Sequence, residues 1–321
     1  MKHYDITALG ELLIDFTQYG SSENEMRLFE QNPGGAVANV LAAAAKFGSS
    51  TAFIGKVGRD MHGAFLRSTL QSAGIDVNGL IEDPEVFTTL AFVELSPDGE
   101  RSFSFARKPG ADTMLRQEEV DLSILENTAI FHVGSLSLTD EPARSATLFA
   151  IQKAKQTGAL ISYDPNYRAS LWENEAIATE QMRSLIPFAD LMKISDEEIG
   201  LVTGCTTPQE AAMYLNQQGV KIAAVSLGAE GVCIGVDGQT FTVPGFPVEA
   251  IDTTGAGDSF WGGFLHSLLR AGITLSLPDT ETVRKCAQWG CATAALCITK
   301  RGAIPAMPSA QAVEALIAKY R

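Results

Sequence analysis

The sequence is poor in basic residues and has no long apolar run. Its 321 residues carry 24 Lys and Arg against 38 Asp and Glu, which gives a formal net charge of −14 at pH 7. Nucleic acids and anionic membranes attract proteins mainly through Lys and Arg, so we expect neither as a partner. No apolar run approaches the ~18 residues that a membrane-spanning helix needs. Acidic Glu11 and Asp15 come too early to leave room for a signal-peptide core, and we therefore expect a cytoplasmic protein.

Several catalytic and structural motifs are also missing. The five cysteines include no Cys-x-x-Cys pair, which disfavours a disulfide scaffold or a thiolate zinc site and predicts buried thiols. There is no Gly-x-x-x-x-Gly-Lys-Ser/Thr loop, no Gly-x-Gly-x-x-Gly after the first strand, no His-Glu-x-x-His and no Gly-x-Ser-x-Gly. Walker-type ATPases, NAD-dependent oxidoreductases, zinc hydrolases and serine hydrolases are therefore disfavoured. The four histidines are scattered, and we expect each to be structural.

Short apolar runs alternate with helical patterns along the whole chain. This alternation predicts an α/β fold whose mostly parallel central sheet is covered by helices on both faces. The predicted strands are 5–9, 51–54, 129–133, 160–163, 191–194 and 222–226. The predicted helices are 36–47, 61–73, 143–156, 208–217 and 258–270.

Two segments do not follow this alternation. Residues 88–95 and 100–105 alternate in polarity about the turn 97–99, which predicts a β-hairpin. Residues 12–29 are extended and polar. Together they predict a small second sheet, from about 12–30 and 86–108, that acts as a lid excluding water from a site. An ordinary surface hairpin is the alternative.

The most informative stretch is 251–260. Gly255, Ala256 and Gly257 precede an apolar helical pattern, so their small side chains leave backbone N–H groups open at a helix N-terminus, where an anion is stabilised. Asp258 follows in the first turn and can accept a hydroxyl proton beside a phosphoryl group. The alternative is that Asp258 only caps the helix. Asp252 and Asp258 bracket the glycines, and capping would require only one of these acids.

Two glycine-containing turns are weaker signals. Residues 32–39 place Gly34 and Gly35 before an alanine-rich helix that carries Asn39, and residues 226–231 follow a predicted strand. Either segment is consistent with a ligand site or with a plain turn.

Six segments resemble motifs of one protein family and follow one another in the same order as those motifs. They are 10–15, 34–48, 164–168, 193–198, 252–265 and 299–303. Through them the sequence resembles the PfkB (ribokinase-like) carbohydrate kinases, and within these the fructokinase and 2-keto-3-deoxygluconate kinase branch. The resemblance implies a ribokinase-like three-layer fold with a small β-sheet lid, as one kinase domain over residues 1–321.

The resemblance also implies a role for individual residues. The base would be Asp258, and the anion hole would be the amides of Gly255, Ala256, Gly257 and Asp258. The sugar would be bound by Asp15, Gly34, Gly35, Asn39, Phe105, Arg107 and Arg168. ATP would be surrounded by Lys193, Ser195, Ser226, Gly228 and Gly231. Magnesium would be supported through water by Glu198, and a K+ site would be formed by Asp252 and the carbonyls of Thr254, Cys297, Lys300 and Gly302.

Three departures from the family pattern bear on these roles. Ser195 replaces a frequent Asn, so magnesium support would rest more on Glu198. Ala306 replaces a cation-binding Ser of some relatives, and Cys291 replaces an often polar residue near the expected adenine.

The predicted activity is transfer of the ATP γ-phosphoryl group to a primary hydroxyl of a small sugar. The run 103–107 resembles fructokinases and favours fructose. Arg107 and Arg168 would suit the carboxylate of 2-keto-3-deoxygluconate, the second candidate, and aminoimidazole riboside or another furanosyl compound is the third. A non-catalytic sensor of sugar or nucleotide on the same fold is the alternative from another class. An exposed apolar lid face predicts a homodimer.

Overall fold

Thirteen strands and ten helices form the part of the chain that the computed structural model describes, residues 2–95, 101–274 and 276–320. The strands are β1 Tyr4–Leu9, β2 Leu13–Ser21, β3 Arg27–Gly34, β4 Thr51–Gly58, β5 Ile75–Asp83, β6 Leu90–Leu95, β7 Arg101–Ala106, β8 Thr128–Gly134, β9 Leu160–Asp164, β10 Leu191–Ser195, β11 Ile222–Ser226, β12 Val232–Val236 and β13 Gln239–Val243. The helices are α1 Ala36–Lys46, α2 Met61–Ser72, α3 Leu122–Glu126, α4 Ala143–Gln156, α5 Glu175–Ser184, α6 Ile199–Thr203, α7 Pro208–Gln217, α8 Ala256–Arg270, α9 Thr280–Cys297 and α10 Ala310–Lys319.

The larger sheet has nine strands in the order β13-β12-β11-β10-β9-β8-β1-β4-β5. All pairs from β11 to β5 are parallel, and β12 and β13 add an antiparallel edge. The six predicted strands and five predicted helices are confirmed. Strands β5, β12 and β13 were not predicted.

Two apolar layers cover the faces of the larger sheet. Alternate strand residues contribute to each: Ile6 and Ala8 join the layer that contains α1, α8 and α9, while Leu9 joins the layer that contains α4 and α7. The predicted three-layer α/β architecture is confirmed.

A separate four-stranded sheet has the order β3-β2-β6-β7. Strands β6 and β7 are antiparallel, which confirms the predicted hairpin, although its turn 97–99 lies outside the described residues. Strand β3 runs to Gly34, beyond the predicted limit of residue 30, and leads directly into α1. Leu13, Asp15 and Thr17 alternate along β2 and all face one cavity, so this small sheet covers a site.

The cysteines and two of the histidines are structural, as expected. All five thiols are free, four are buried, and Cys205 is half-buried. His132 lies within hydrogen-bond distance of Ser162, and His266 within that of Ser49. In the part of the chain that can be described, no helix is long and apolar enough to cross a membrane.

Candidate active site

The turn before α8 lies at the centre of the site. Gly255 adopts a φ of 73°, in the left-handed region that favours glycine. A Cβ atom at this position would lie 2.5 Å from the Cβ of Ala303. Helix α8 begins at Ala256 without a side-chain cap. The Ala256 amide donates to the Thr253 carbonyl at 3.2 Å, so an anion bound here would draw mainly on the other predicted amides.

This turn separates two cavities. The first, called the sugar-side cavity here, has a volume of about 180 Å³ and is lined by Glu11, Leu13, Asp15, Thr17, Asn32, Pro33, Gly35, Ala36, Asn39, Val93, Phe105, Leu136, Asn166, Arg168, Asp252, Thr253, Thr254, Gly255, Asp258, Gly302 and Ala303. The second, the nucleotide-side cavity, has a volume of about 550 Å³ and is lined by Ser226, Gly228, Ala229, Gly231, Gly245, Phe246, Pro247, Val248, Ala250, Thr253, Ala256, Gly257, Phe260, Cys291, Ala294, Ala295 and Ile298. Residues 253–257 form the wall between them, so two ligands bound on either side would meet at this turn.

Asp258 lies on the sugar side of the turn and is 8% exposed. Its Oδ2 accepts a hydrogen bond of 2.8 Å from Asn39 Nδ2. Burial, together with the charge of Asp164, raises the pKa of Asp258 to about 6, although Lys193, the Asn39 hydrogen bond and Arg168 oppose the rise. Burial thus places the pKa of Asp258 nearer neutrality than that of an exposed carboxylate, which suits a general base.

Lys193 lies beneath the turn and lines neither cavity. Its Nζ donates to Asp164 Oδ2 at 2.7 Å, and both side chains are buried. Burial would lower the pKa of Lys193, but Asp164, Glu198 and Asp258 outweigh it and hold that pKa above its usual value. A Cβ at Gly257 would lie 3.1 Å from Lys193 Nζ. The ammonium therefore supplies positive charge directly behind the anion-binding turn.

Glu198 connects the ends of two neighbouring strands. Its Oε1 accepts from the Tyr167 amide at 2.7 Å and its Oε2 from the Ser195 amide at 2.8 Å. Ser195 itself ends β10 and lines neither cavity. Among the residues that the structure describes, no three His, Cys, Asp or Glu side chains are grouped to hold a metal. One carboxylate is nevertheless compatible with Mg²⁺, which is bound through one or two carboxylates, water and substrate phosphates.

Only some of the residues predicted to bind K+ lie together in the structure. Asp252 Oδ2 accepts from the Gly302 amide at 2.9 Å, and its Oδ1 accepts from the amide and hydroxyl of Thr254 at 3.0 and 2.7 Å. These three residues line the sugar-side cavity, whereas the Cys297 carbonyl accepts from the Lys300 amide at 3.2 Å. The carboxylate and carbonyl chemistry of this group fits a hard cation.

The two arginines expected at the sugar differ in position. Arg168 is exposed and lines the sugar-side cavity. Arg107 does not line it. The Arg107 guanidinium is buried and donates to Asp112 Oδ2 at 2.8 Å, Thr139 Oγ1 at 2.8 Å and the Leu136 carbonyl at 2.8 Å. Arg107 was predicted to reach the substrate; in this structure these contacts engage each of its three nitrogens, and the residue does not line the sugar-side cavity.

All but one of the remaining predicted residues line one of the two cavities. Asp15, Gly35, Asn39 and Phe105 line the sugar-side cavity, and Ser226, Gly228 and Gly231 line the nucleotide-side cavity. The exception is Gly34, which lies outside both linings; a Cβ there would collide with the Asp15 carboxylate.

Three site residues were not singled out from the sequence: Glu11, Asp164 and Asn166. Glu11 is buried, accepts from the Ala36 amide at 2.7 Å, and lines the sugar-side cavity. All three lie within the segments 10–15 and 164–168 that carry the family resemblance. Their position after a buried strand was the available signal, since the carboxyl ends of parallel strands form the ligand-binding edge of such sheets.

Comparison with known proteins gives one consistent result. The profile of the pfkB family of carbohydrate kinases matches residues 4–310. The chain is 41% identical over 321 residues to a probable fructokinase-7 of Arabidopsis thaliana, covering 98% of this chain and 93% of the relative. The fold is similar to that of a Xylella fastidiosa fructokinase with bound ATP, with a TM-score of 0.90, 32% identity and 98% of both chains covered. It is also similar to a double mutant of a Vibrio cholerae O395 fructokinase in a form with fructose, ADP and potassium ion bound, with a TM-score of 0.88, 31% identity, and 98% of this chain and 99% of that chain covered.

Proposed function

Since the chain belongs to the pfkB family of carbohydrate kinases, we propose that it transfers the γ-phosphoryl group of ATP to the 6-hydroxyl of D-fructose. One observation carries this proposal: residues 253–257 form the common wall of two cavities, with Asp258 facing the smaller one. A sugar in the first cavity and a nucleotide in the second would bring hydroxyl and phosphate together at this turn. We propose that residues 1–321 form one kinase domain.

Transfer of this kind needs positioning and charge stabilisation more than a reactive side chain. The sugar hydroxyl gives its proton to Asp258 as its oxygen forms a bond to the γ-phosphorus. The bond from that phosphorus to the bridging oxygen breaks, and ADP leaves with the electron pair. The turn amides and the Lys193 ammonium behind Gly257 stabilise the charge that the three phosphoryl oxygens carry. No covalent intermediate with the protein is required.

Fructose is favoured over 2-keto-3-deoxygluconate by the surroundings of Arg107. A sugar acid would need a bidentate arginine partner to offset the removal of its carboxylate from water. Arg107 already pairs with Asp112 in a buried contact, so of the two candidate arginines it is the exposed Arg168 that lines the sugar-side cavity. A neutral ketose requires no such partner. Aminoimidazole riboside, also without a carboxylate, is the next candidate.

Magnesium would neutralise the nucleotide phosphates when bound with ATP. We propose that Glu198 contacts its hydration shell, since both Glu198 oxygens are fixed by backbone amides at the strand ends. We also propose K+ near Asp252, beside Thr254 and Gly302, where it would strengthen the positive potential of the turn.

The small sheet also supports a proposal for assembly. Its outer face carries an aromatic cluster in which Phe16 and Phe92 stack at 5.4 Å and Phe29 packs against Phe92 at 6.0 Å. Phe29 and Phe92 are 36% and 37% exposed. An exposed apolar face of this kind favours burial against another surface. We propose a homodimer formed through this lid.

A sugar panel tests the proposed reaction. ADP release from MgATP would be measured with fructose, 2-keto-3-deoxygluconate, ribose and aminoimidazole riboside, with and without K+. We expect saturable, sugar-dependent release that is highest with fructose. Release with another sugar would reassign the substrate, and sugar binding without any release would instead support a sensor.

A further inference from the structure

Asn166 has a backbone conformation that few residues in this protein adopt. Its φ is 51°, and among the described non-glycine residues only Glu25 and Asp237 also have a positive φ. Of these three, only Asn166 lines the sugar-side cavity. Asparagine tolerates the left-handed region better than most side chains, and backbone held in such regions is concentrated at functional sites. This conformation therefore calls for an explanation beyond a surface turn.

The backbone on both sides of Asn166 is fixed by buried groups. The Pro165 carbonyl accepts from the amide and the hydroxyl of Ser135, at 3.1 and 2.5 Å. The Tyr167 amide donates to Glu198 at 2.7 Å. Ser135 is fully buried and Glu198 is 6% exposed, so bulk water does not compete for the hydrogen bonds that these two residues make with the loop. The loop is thus preorganised, and the direction of the Asn166 side chain is determined by it.

The side-chain amide nitrogen of Asn166 is buried and has no hydrogen-bond partner among the described residues. A buried donor without a partner is unfavourable by about 1–3 kcal/mol. The same cavity is lined by Asn39, Arg168 and Asp258. We infer that the Asn166 amide donates a hydrogen bond to an oxygen atom of the bound sugar and is a specificity-determining residue. This inference rests on the proposed function.

The residue type supports this assignment. Glycine would adopt the same φ without strain but would offer no donor, and aspartate would replace the donor by an acceptor and add a negative charge to the lining that already contains Asp258. Asparagine combines tolerance of the left-handed backbone with a neutral donor.

The test compares two glycine variants. Asn166→Gly keeps the backbone conformation and removes the amide, while Asp237→Gly makes a matched change at an exposed turn with the same φ of 51°. We expect Asn166→Gly to raise the KM for fructose roughly 5- to 100-fold, with the KM for ATP and the melting temperature close to those of Asp237→Gly. An unchanged KM for fructose in Asn166→Gly would overturn the inference.

Deoxyfructoses then distinguish direct contact from a structural effect. Removing the hydroxyl that Asn166 contacts should weaken wild-type binding but cause no further loss in Asn166→Gly. If the loss of binding from Asn166→Gly and the loss from removing a hydroxyl are additive for every deoxy sugar, the inference is contradicted.

If the wild-type protein phosphorylates a sugar other than fructose, the proposed substrate is wrong, and the same comparison is made with that sugar and its deoxy forms. If no sugar releases ADP, the cycle is measured as sugar binding by calorimetry, so the two failures remain distinguishable.

Discussion

Asp258 is a carboxylate whose pKa reflects opposing surroundings. Burial and Asp164 favour its protonated form, while the Asn39 amide and Lys193 favour the ionised form. The resulting pKa of about 6 lets it remain ionised at neutral pH and still accept a proton during the reaction. Neither a fully exposed nor an unpartnered buried carboxylate would meet both needs.

This balance predicts the pH dependence of the reaction. Because the base must be deprotonated, kcat/KM for fructose at saturating MgATP should be constant above pH of about 6 and fall below it. Asn39→Ala removes a hydrogen bond that lowers the Asp258 pKa, so its acid limb should move to higher pH. The measurement is the initial rate over pH 5 to 9 for both proteins. An acid limb at the same pH in both would contradict this account of Asp258.

Glu11 predicts a pH dependence of stability. Burial raises the pKa of Glu11 from 4.5 to about 7, so folding favours the protonated form. The folded state therefore holds more protons than the unfolded state between these pH values, and this residue makes the protein less stable as pH rises through that window. The difference, 7 − 4.5 = 2.5 pH units, corresponds to on the order of 3 kcal/mol.

Glu11→Gln tests this dependence because glutamine keeps an oxygen acceptor for the Ala36 amide. The quantity measured is the urea midpoint of the variant minus that of wild type at each pH. This difference should be larger, in favour of the variant, at pH 8 than at pH 5. A stability difference that is equal at the two pH values would show that Glu11 does not titrate with a raised pKa.

At the scale of elements, the turn into α8 requires glycine for two separate reasons. Gly255 has a φ of 73°, and a Cβ would also meet Ala303. Gly272, just after the same helix, has a φ of 84° and open space around it. The two positions therefore separate backbone strain from steric collision.

Alanine at each position gives the corresponding prediction. Gly272→Ala should lose about 1–2 kcal/mol of stability and keep its activity, since only backbone strain is added. Gly255→Ala should lose more stability and lower kcat at least roughly tenfold, because displacing the turn by about 1 Å misaligns the phosphoryl group. Steady-state rates and thermal unfolding check both variants. Equal kcat in the two would mean that the position of this turn does not limit transfer.

The elements that the sequence predicted have either apolar side chains in regular order or, as in α1, a run of alanines, which favours a helix. Helix α9 was not predicted, and its buried face explains why: it consists mainly of small residues such as Cys286, Ala287 and Gly290 rather than a stripe of large ones. Strand β5 was not predicted because Gly79 and the adjacent apolar pair Leu80 and Ile81 break the alternation that begins at Ile75. The burial of Arg107 depends on Asp112 and the distant Thr139, a tertiary contact that no local pattern encodes.

At the scale of the whole molecule, the two sheets contribute different residues to the site. The larger sheet presents Asp164 and Lys193, with Lys193 beneath the turn before α8, while the small sheet closes over the sugar-side cavity with Asp15 and Phe105. The six family segments could be ordered along the sequence, but their meeting at one edge follows only from the parallel topology. That topology places base, sugar cavity and nucleotide cavity within a single junction.

The central claim is that Asp258, at this junction, is the base for phosphoryl transfer. Its most direct test is the rate of fructose-dependent ADP release by Asp258→Asn, measured together with fructose and ATP binding by calorimetry and with folding by circular dichroism. We predict a folded variant that binds both ligands within a few-fold of wild type and whose kcat is lower by roughly 10²–10⁴. A folded Asp258→Asn variant with near-normal kcat would contradict the claim.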